Sequence, residues 1–141
     1  MPSGNIQDCD INESDIKTKI TQKGLDNSSA KLIKKDTALL AMTGATCGKS
    51  GYLKCVSSAN QSVMAFETDE LNSKFLYYTF QRNKNLILKH QAGGAQAGIN
   101  KDTCKNLEFM FPKKAEMYII ANLISKIDNL ITLHQREHVL F

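Results

Sequence analysis

The feature that most constrains the fold of this chain is the apolar periodicity of its C-terminal segment. From Ala115 onward no glycine or proline interrupts the sequence, and the periodic positions lie alternately three and four residues apart. These positions are Met117, Ile120, Ile124, Ile127, Ile131, His134 and His138. The spacing is the a/d pattern of a coiled coil, so we predict one long helix that continues to Phe141. An amphipathic core helix would show a similar stripe, but the regular heptad phase and the terminal position favour an interaction helix.

The end of this stripe also resembles a metal-binding motif. The segment from His134 to His138 reads His-x-x-Glu-His, which in one class of zinc proteases supplies two ligands and a general base. Catalytic zinc needs a third protein ligand, and His90 is the only other histidine. We therefore predict no metalloprotease site and no metal cofactor, while incidental metal binding by the two imidazoles stays open.

A glycine-rich segment imitates a nucleotide-binding loop. Residues 41–51 read AMTGATCGKSG, whereas a P-loop has four residues between its first glycine and the Gly-Lys-Ser/Thr. Here three residues separate Gly44 from Gly48, and the β-prone stretch from Tyr52 to Val56 stands where a helix should begin. We predict two strands, near 38–42 and 52–56, joined by a glycine-rich basic loop.

The composition is that of one ordinary globular domain. A chain of 141 residues with 42% hydrophobic residues can bury a modest core. No apolar run reaches membrane-spanning length, and the N-terminus lacks the pattern of a signal peptide. The four scattered cysteines suggest reduced thiols, so we expect a cytoplasmic protein without membrane contact.

Charge is distributed unevenly along the chain. Residues 17–54 carry eight lysines and two acids, and residues 74–114 carry eight basic residues and two acids. Residues 55–73 between them contain three acids and no base. Two basic segments could fold onto one positive face suited to phosphate groups, although a solvated lysine-rich surface is the alternative.

The remaining segments predict an α+β fold without a catalytic set. We predict further strands over Ser62–Phe66 and Leu107–Phe111, and a helix over Lys74–Gln91 that is broken by the glycine-rich stretch 92–98. No spacing of serine, histidine and acidic residues assembles a triad, and the acids before the helix are explained by its positive end.

Several of these segments together resemble the target recognition domain of type I restriction-modification specificity subunits. They are residues 20–25 (ITQKGL), 28–32 (SSAKL), 38–49 (ALLAMTGATCGK), 60–61 (NQ), 75–78 (FLYY), 92–99 (AGGAQAGI), 111–112 (FP), Glu116, 120–121 (IA) and the heptad stripe. The resemblance covers the chain from about Gly4 to its end. Each piece is weak alone, but their order and spacing are specific.

The chain departs from the family pattern at several positions. Met117 stands where the family usually has glutamine, and Lys113-Lys114 replaces a second proline region. The family's domain normally begins with several strands upstream. The resemblance therefore predicts a small mixed, β-rich recognition domain over residues 1–113 without its N-terminal strands, followed by a spacer and dimerisation helix over residues 114–141.

The resemblance also implies a function. Each recognition domain of the family reads one half of a bipartite site in double-stranded DNA. The helices space the two domains and dock the methyltransferase subunits, which bind S-adenosylmethionine and modify adenine; the restriction subunit translocates and cleaves DNA. The specificity component is expected to be non-catalytic and without its own cofactor. Polar loop residues suit contacts with bases and phosphates, and we select Thr46, Lys49, Ser50, Gln96, Asn100 and Lys101 as candidate DNA contacts.

Two other classes of function stay open. A helical interaction module that does not bind DNA would use the same stripe, and an NTPase would need the phosphate loop that this sequence lacks. For the specificity component, the apolar stripe predicts a homodimer through the C-terminal helix, since such a seam is normally covered.

Overall fold

The structure, a computed structural model, describes residues 1–94 and 97–139 and has an α+β fold. Its strands are β1 (Cys9–Ile11), β2 (Leu32–Ile33), β3 (Thr37–Ala41), β4 (Ser50–Leu53), β5 (Ser57–Ser58) and β6 (Val63–Phe66). Its helices are α1 (Gln22–Asp26), α2 (Ser73–Arg82), α3 (Lys84–Leu88), α4 (Lys101–Lys105) and α5 (Lys114–Val139). The sequence-based class, a small mixed sheet followed by a long C-terminal helix, is confirmed.

A four-stranded sheet in the order β1-β4-β3-β6 forms the centre of the molecule. β3 pairs antiparallel with β4 and β6, whereas β1 runs parallel to β4. The predicted strand pair around the glycine-rich segment is thus confirmed as the β3–β4 hairpin, but its second strand is Ser50–Leu53 and not 52–56. β2 and β5 form a separate antiparallel pair.

The central strand is covered on both faces. All five residues of β3 are buried, because alternate side chains enter two different apolar clusters. Ala38 and Leu40 lie in the cluster that contains α2, whereas Leu39 and Ala41 pack with Ile6 and other residues of the N-terminal segment. The sheet is therefore held between helices on one side and the N-terminal segment on the other.

The predicted helix over Lys74–Gln91 is divided into two. Asn72 caps α2 by accepting a hydrogen bond from the Phe75 N–H at 2.8 Å. The backbone leaves helical geometry at Asn83, whose side-chain amide donates to the Thr79 carbonyl at 2.9 Å. This local side-chain contact competes with the helical ladder, so α3 begins as a separate short helix.

The predicted strand over Leu107–Phe111 is wrong. These residues form no strand in the described structure, and their aromatic rings pack on α2 instead. The Phe109 ring lies 6.2 Å from Phe80, and the Phe111 ring lies 6.3 Å from Phe75. The alternating aromatic side chains of this segment therefore pack on a helix, and its backbone pairs with no strand among the described residues.

The long C-terminal helix is confirmed as α5, within the residues described. Met117 and Ala121 in its first two turns are buried against the rest of the fold. None of the helices described is both long and apolar enough to cross a membrane.

Candidate nucleic-acid interface

The β3–β4 loop presents backbone to solvent at its tip. Gly44 and Gly48 have positive φ angles of 74° and 79°, a conformation that side chains disfavour. Gly44 and Ala45 are exposed. Gly48 packs closely against α3, because a Cβ there would lie 2.8 Å from the Leu88 side chain. The loop is therefore fixed at its base and open at its tip.

The second glycine-rich segment pairs with this loop. The Ile99 N–H donates to the Met42 carbonyl at 2.7 Å, and Thr43 forms an isolated antiparallel bridge with Gly98. Ala92 and Gly98 exchange backbone hydrogen bonds of 2.9 and 3.0 Å, which closes the segment on itself. We call residues 43–48, 92–94 and 97–98 the paired loops.

Glycine at position 98 is required by this close approach. A Cβ there would lie 2.9 Å from the Met42 carbonyl oxygen and 2.9 Å from the Thr43 Cγ2 atom. Both distances are too short for a side chain, so any larger residue must push the loops apart.

The start of α4 follows directly after the paired loops. Asn100 caps the helix, since its side-chain oxygen accepts a hydrogen bond from the Thr103 N–H at 2.7 Å. Lys101 is exposed, and its ammonium group forms no ion pair or hydrogen bond with another described residue. Gln96 lies outside the described residues.

Two of the six candidate DNA contacts need correction. Thr46 is buried, and its hydroxyl donates to the Ser3 carbonyl at 3.0 Å. Ser50 is wholly buried at the start of β4, where its N–H donates to the Asp8 carboxylate at 2.8 Å. Both residues are buried beneath the N-terminal segment and are not exposed to a duplex, so their observed role is to hold that segment against the sheet.

Lys49, the third candidate in this segment, forms a hydrogen bond with the N-terminal segment. Its ammonium group donates to the Gln7 side-chain oxygen at 2.5 Å, on the exposed surface of the N-terminal segment. Asp8, the residue after Gln7, has a left-handed backbone conformation with φ 57°. One of its carboxylate oxygens accepts from the Ser50 N–H, and the second lies 3.4 Å from the Lys84 ammonium group. Three of the candidates therefore contact the N-terminal segment: Thr46, Lys49 and Ser50. The other two described candidates, Asn100 and Lys101, lie beside the paired loops.

The sequence reasoning missed exposed groups at this face. Gly44 and Ala45 offer backbone at the loop tip, and Gly93 and Gly94 are exposed in the partner loop. Glycine permits the close approach of backbone to a ligand, a role that a search for polar side chains does not detect. Backbone N–H groups and lysine side chains are among the protein groups that bind phosphate oxygens.

The apolar stripe of α5 is divided by the structure. Met117 is buried and Ile124 packs against the cluster around α2, so these two belong to the core of the chain itself. Ile120, Ile127 and Ile131 are 38%, 47% and 51% exposed. His134 and His138 are exposed, as are the large apolar residues Leu123, Leu130 and Leu133. For Met117 and Ile124 the predicted helix interface is therefore corrected to an intramolecular contact.

Polar contacts fix α5 beyond its buried turns. The Tyr78 hydroxyl donates to the Asp128 carboxylate at 2.8 Å, and burial together with this carboxylate raises the pKa of Tyr78. The Lys74 ammonium group lies 4.2 Å from the ring centre of Tyr52 and 5.5 Å from that of Tyr78, and it pairs with Asp10. Aromatic rings and a cation thus connect the sheet, α2 and α5.

The described residues contain no group of three or more histidine, cysteine or acidic side chains able to hold a metal ion. Two of the thiols, Cys47 and Cys104, are buried. Burial raises the pKa of the Cys104 thiol to about 11, with Cys47 as the second cause. These thiols are therefore protonated packing groups at neutral pH.

Comparison with known proteins gives one family and a consistent fold. The family model of the type I restriction modification DNA specificity domain matches residues 4–139. A structure described in terms of complex assembly and conformational transition of the type I R-M system superposes with a TM-score of 0.68 at 13% identity, over 97% of this chain and 32% of that one. The S subunit of the type I restriction-modification system of M. genitalium gives a TM-score of 0.57 at 28% identity, over 70% of this chain and 28% of that one. The chain spans about a third of the length of these proteins.

Proposed function

The chain belongs to the type I restriction modification DNA specificity domain family, and from that premise we propose that it recognises a DNA sequence as the specificity component of a restriction-modification complex. The proposal rests on the family and on one structural observation, the paired loops. It places the chain in the cytoplasm, where its DNA and partner subunits would be.

The paired loops carry the proposal because they join two glycine-rich segments into one exposed edge. The Ile99–Met42 hydrogen bond and the contact at Gly98 hold the bases of the two segments together. Exposed backbone suits approach to phosphates, and Asn100 and Lys101 lie next to the same edge. In this arrangement Lys101 contributes a phosphate contact, and sequence is read by neighbouring loop side chains.

The chain acts in this proposal without chemistry of its own. An adenine methyltransferase subunit, which binds S-adenosylmethionine, and a restriction subunit supply the reactions. The proposal further assigns the exposed apolar side chains of α5 to a second copy of the chain. Ile127 and Ile131 would be covered in such a dimer, because large exposed apolar patches usually mark association surfaces. The dimer would present two recognition domains to a symmetric site.

The test is to co-express the chain with the methyltransferase subunit of its host and to map methylated adenines in a random-sequence DNA library. We expect methylation within one defined sequence, and none when either protein is omitted. The Gly98→Ala variant, which disturbs the paired loops, should lose methylation while still binding the methyltransferase. Hydrolysis of ATP or methylation of DNA by the purified chain alone would contradict the proposal.

A helical interaction module without DNA binding is the competing function, and the exposed side chains of α5 favour it. It predicts that assembly with a partner requires α5, while duplex DNA is not retained at any salt concentration. The library experiment separates the two functions, since this module would leave no sequence-defined methylation.

A further inference from the structure

Two imidazole rings meet on the exposed surface of α5. His134 and His138 lie one helical turn apart, and their Nε2 atoms are 3.0 Å apart. The ring planes are nearly perpendicular, at 89°, with centroids 4.4 Å apart. Both residues are exposed, so the two nitrogens already face each other at the surface of a regular helix.

The distance between these nitrogens fits a chelated metal ion. Imidazole nitrogens bind first-row metals at about 2.0–2.1 Å, so two that meet at a right angle around one ion are about 3.0 Å apart. Right-angled positions are those of square-planar and octahedral ions. We propose that His134 and His138 form a two-nitrogen site for a late divalent transition metal such as Ni²⁺ or Cu²⁺.

The binding step needs a change of tautomer and a rotation of the two exposed rings, so that both Nε2 lone pairs point at the ion instead of at each other. A hydrogen bond across this 3.0 Å contact requires a proton on one of the two Nε2 atoms. When the metal binds, that proton leaves Nε2 through water and the same ring takes one up at Nδ1, so both neutral rings coordinate through Nε2. No oxidant or reductant is needed, and the charge of the ion is added to the site.

The residues around the two histidines indicate how many protein ligands the ion has and which ions are excluded. Because no group of three ligands exists among the described residues, the ion keeps open positions for water or for a donor from another molecule. Arg136 lines the groove between α5 and the N-terminal segment, and it lies two residues from each histidine, a spacing that does not share a helix face. Nitrogen ligands exclude Mg²⁺ and Ca²⁺, which prefer oxygen. This inference is independent of DNA binding.

The test is calorimetric titration of the full chain with NiCl₂. We expect one tight site per chain, and loss of either imidazole in His134→Gln or His138→Gln should weaken binding on the order of tenfold or more, because the second ligand acts at a high effective concentration. His90→Gln is the control, since it removes the remaining histidine outside α5 and should leave affinity unchanged. MgCl₂ should give no heat of binding.

A second measurement locates the ion. Paramagnetic Ni²⁺ should broaden the NMR signals of residues near His134 and His138 first, and leave those of the sheet unaffected. Equal affinity in the His134→Gln and His138→Gln variants and the unmodified chain, dependence on His90, or broadening centred on the exposed thiol of Cys9 would each overturn the proposal.

Discussion

The hydroxyl of Tyr78 in α2 donates a hydrogen bond to the carboxylate of Asp128 in α5 at 2.8 Å. Among the described residues, Asp128 is the most C-terminal position of the helix whose side chain makes such a hydrogen bond with the rest of the fold. The direction of the projecting half of α5 therefore depends on this bond and on the packing of Met117, Ala121 and Ile124 below it.

Removal of this bond should destabilise the fold and loosen the helix. Tyr78→Phe keeps the buried ring but removes the donor to Asp128, which costs about 0.5–1.5 kcal/mol of unfolding free energy because water can reach the exposed carboxylate. Urea unfolding measures the loss, and amide exchange should accelerate around Asp128. Tyr118→Phe is the control, because that hydroxyl is on an exposed residue of the same helix. Equal stability of the two variants would refute the role of the bond.

Adding one methyl group at position 98 should push the paired loops apart. Gly98→Ala places a Cβ about 2.9 Å from the Met42 carbonyl and the Thr43 side chain, and overpacking of this kind costs about 1–3 kcal/mol. We expect lower stability in urea and weaker duplex binding. Gly94→Ala, in the same loop with open space around it, should change neither. A stable Gly98→Ala variant that binds DNA normally would show that the loops need not touch.

The sequence was sufficient for elements whose pattern is local. The heptad stripe predicted α5 and the β-prone residues beside the glycine-rich loop predicted the β3–β4 hairpin, since both signals depend on neighbouring residues. The strand over 107–111 failed because alternation records only that side chains share a face, and here Phe109 and Phe111 pack on a helix. The helix break at Asn83 needed knowledge of a side-chain hydrogen bond that propensity does not give.

The candidate site was harder to predict because exposure is a tertiary property. Thr46 and Ser50 are polar residues in a glycine-rich segment, yet the N-terminal segment covers both. Nothing in their sequence context distinguishes them from Lys101, which is exposed. In the same way, the a/d pattern could not show that Met117 is buried and Ile124 packs on the cluster around α2, while Ile127 and Ile131 remain uncovered.

Stability should fall in alkaline solution because of a buried thiol. Cys104 has a pKa raised by burial to about 11, against 9.0 for an ordinary thiol. Between these values the unfolded chain has lost the proton that the folded chain keeps, so the unfolding free energy decreases as the pH rises. Urea midpoints measured from about pH 8 to about pH 11 should show the decline. Cys104→Ala should start lower but decline less steeply; parallel curves would contradict this assignment.

Duplex binding should depend on Lys101 in a salt-dependent way. Lys101→Ala is expected to lower affinity and to reduce the slope of log affinity against log salt by about one unit, because the variant neutralises one phosphate fewer. Lys35→Ala is the matched control, because this exposed lysine precedes β3 at the opposite end of the hairpin. Lys49→Ala tests the remaining candidate and also removes the hydrogen bond to Gln7. Equal slopes for the Lys101 and Lys35 variants would place the interface elsewhere.

The proposed dimer should depend on the uncovered apolar residues of α5 and not on the buried ones. Ile127→Lys or Ile131→Lys should give a folded monomer, because both side chains are about half exposed in the single chain and a charge there opposes only association. Ile124→Lys should unfold the chain instead, since this side chain packs against the core. Asn122→Lys, exposed on the same helix, is the control and should leave the dimer intact. Light scattering measures the mass of each variant. A monomeric unmodified chain at high concentration would rule out the dimer and leave the apolar residues of α5 to a different partner.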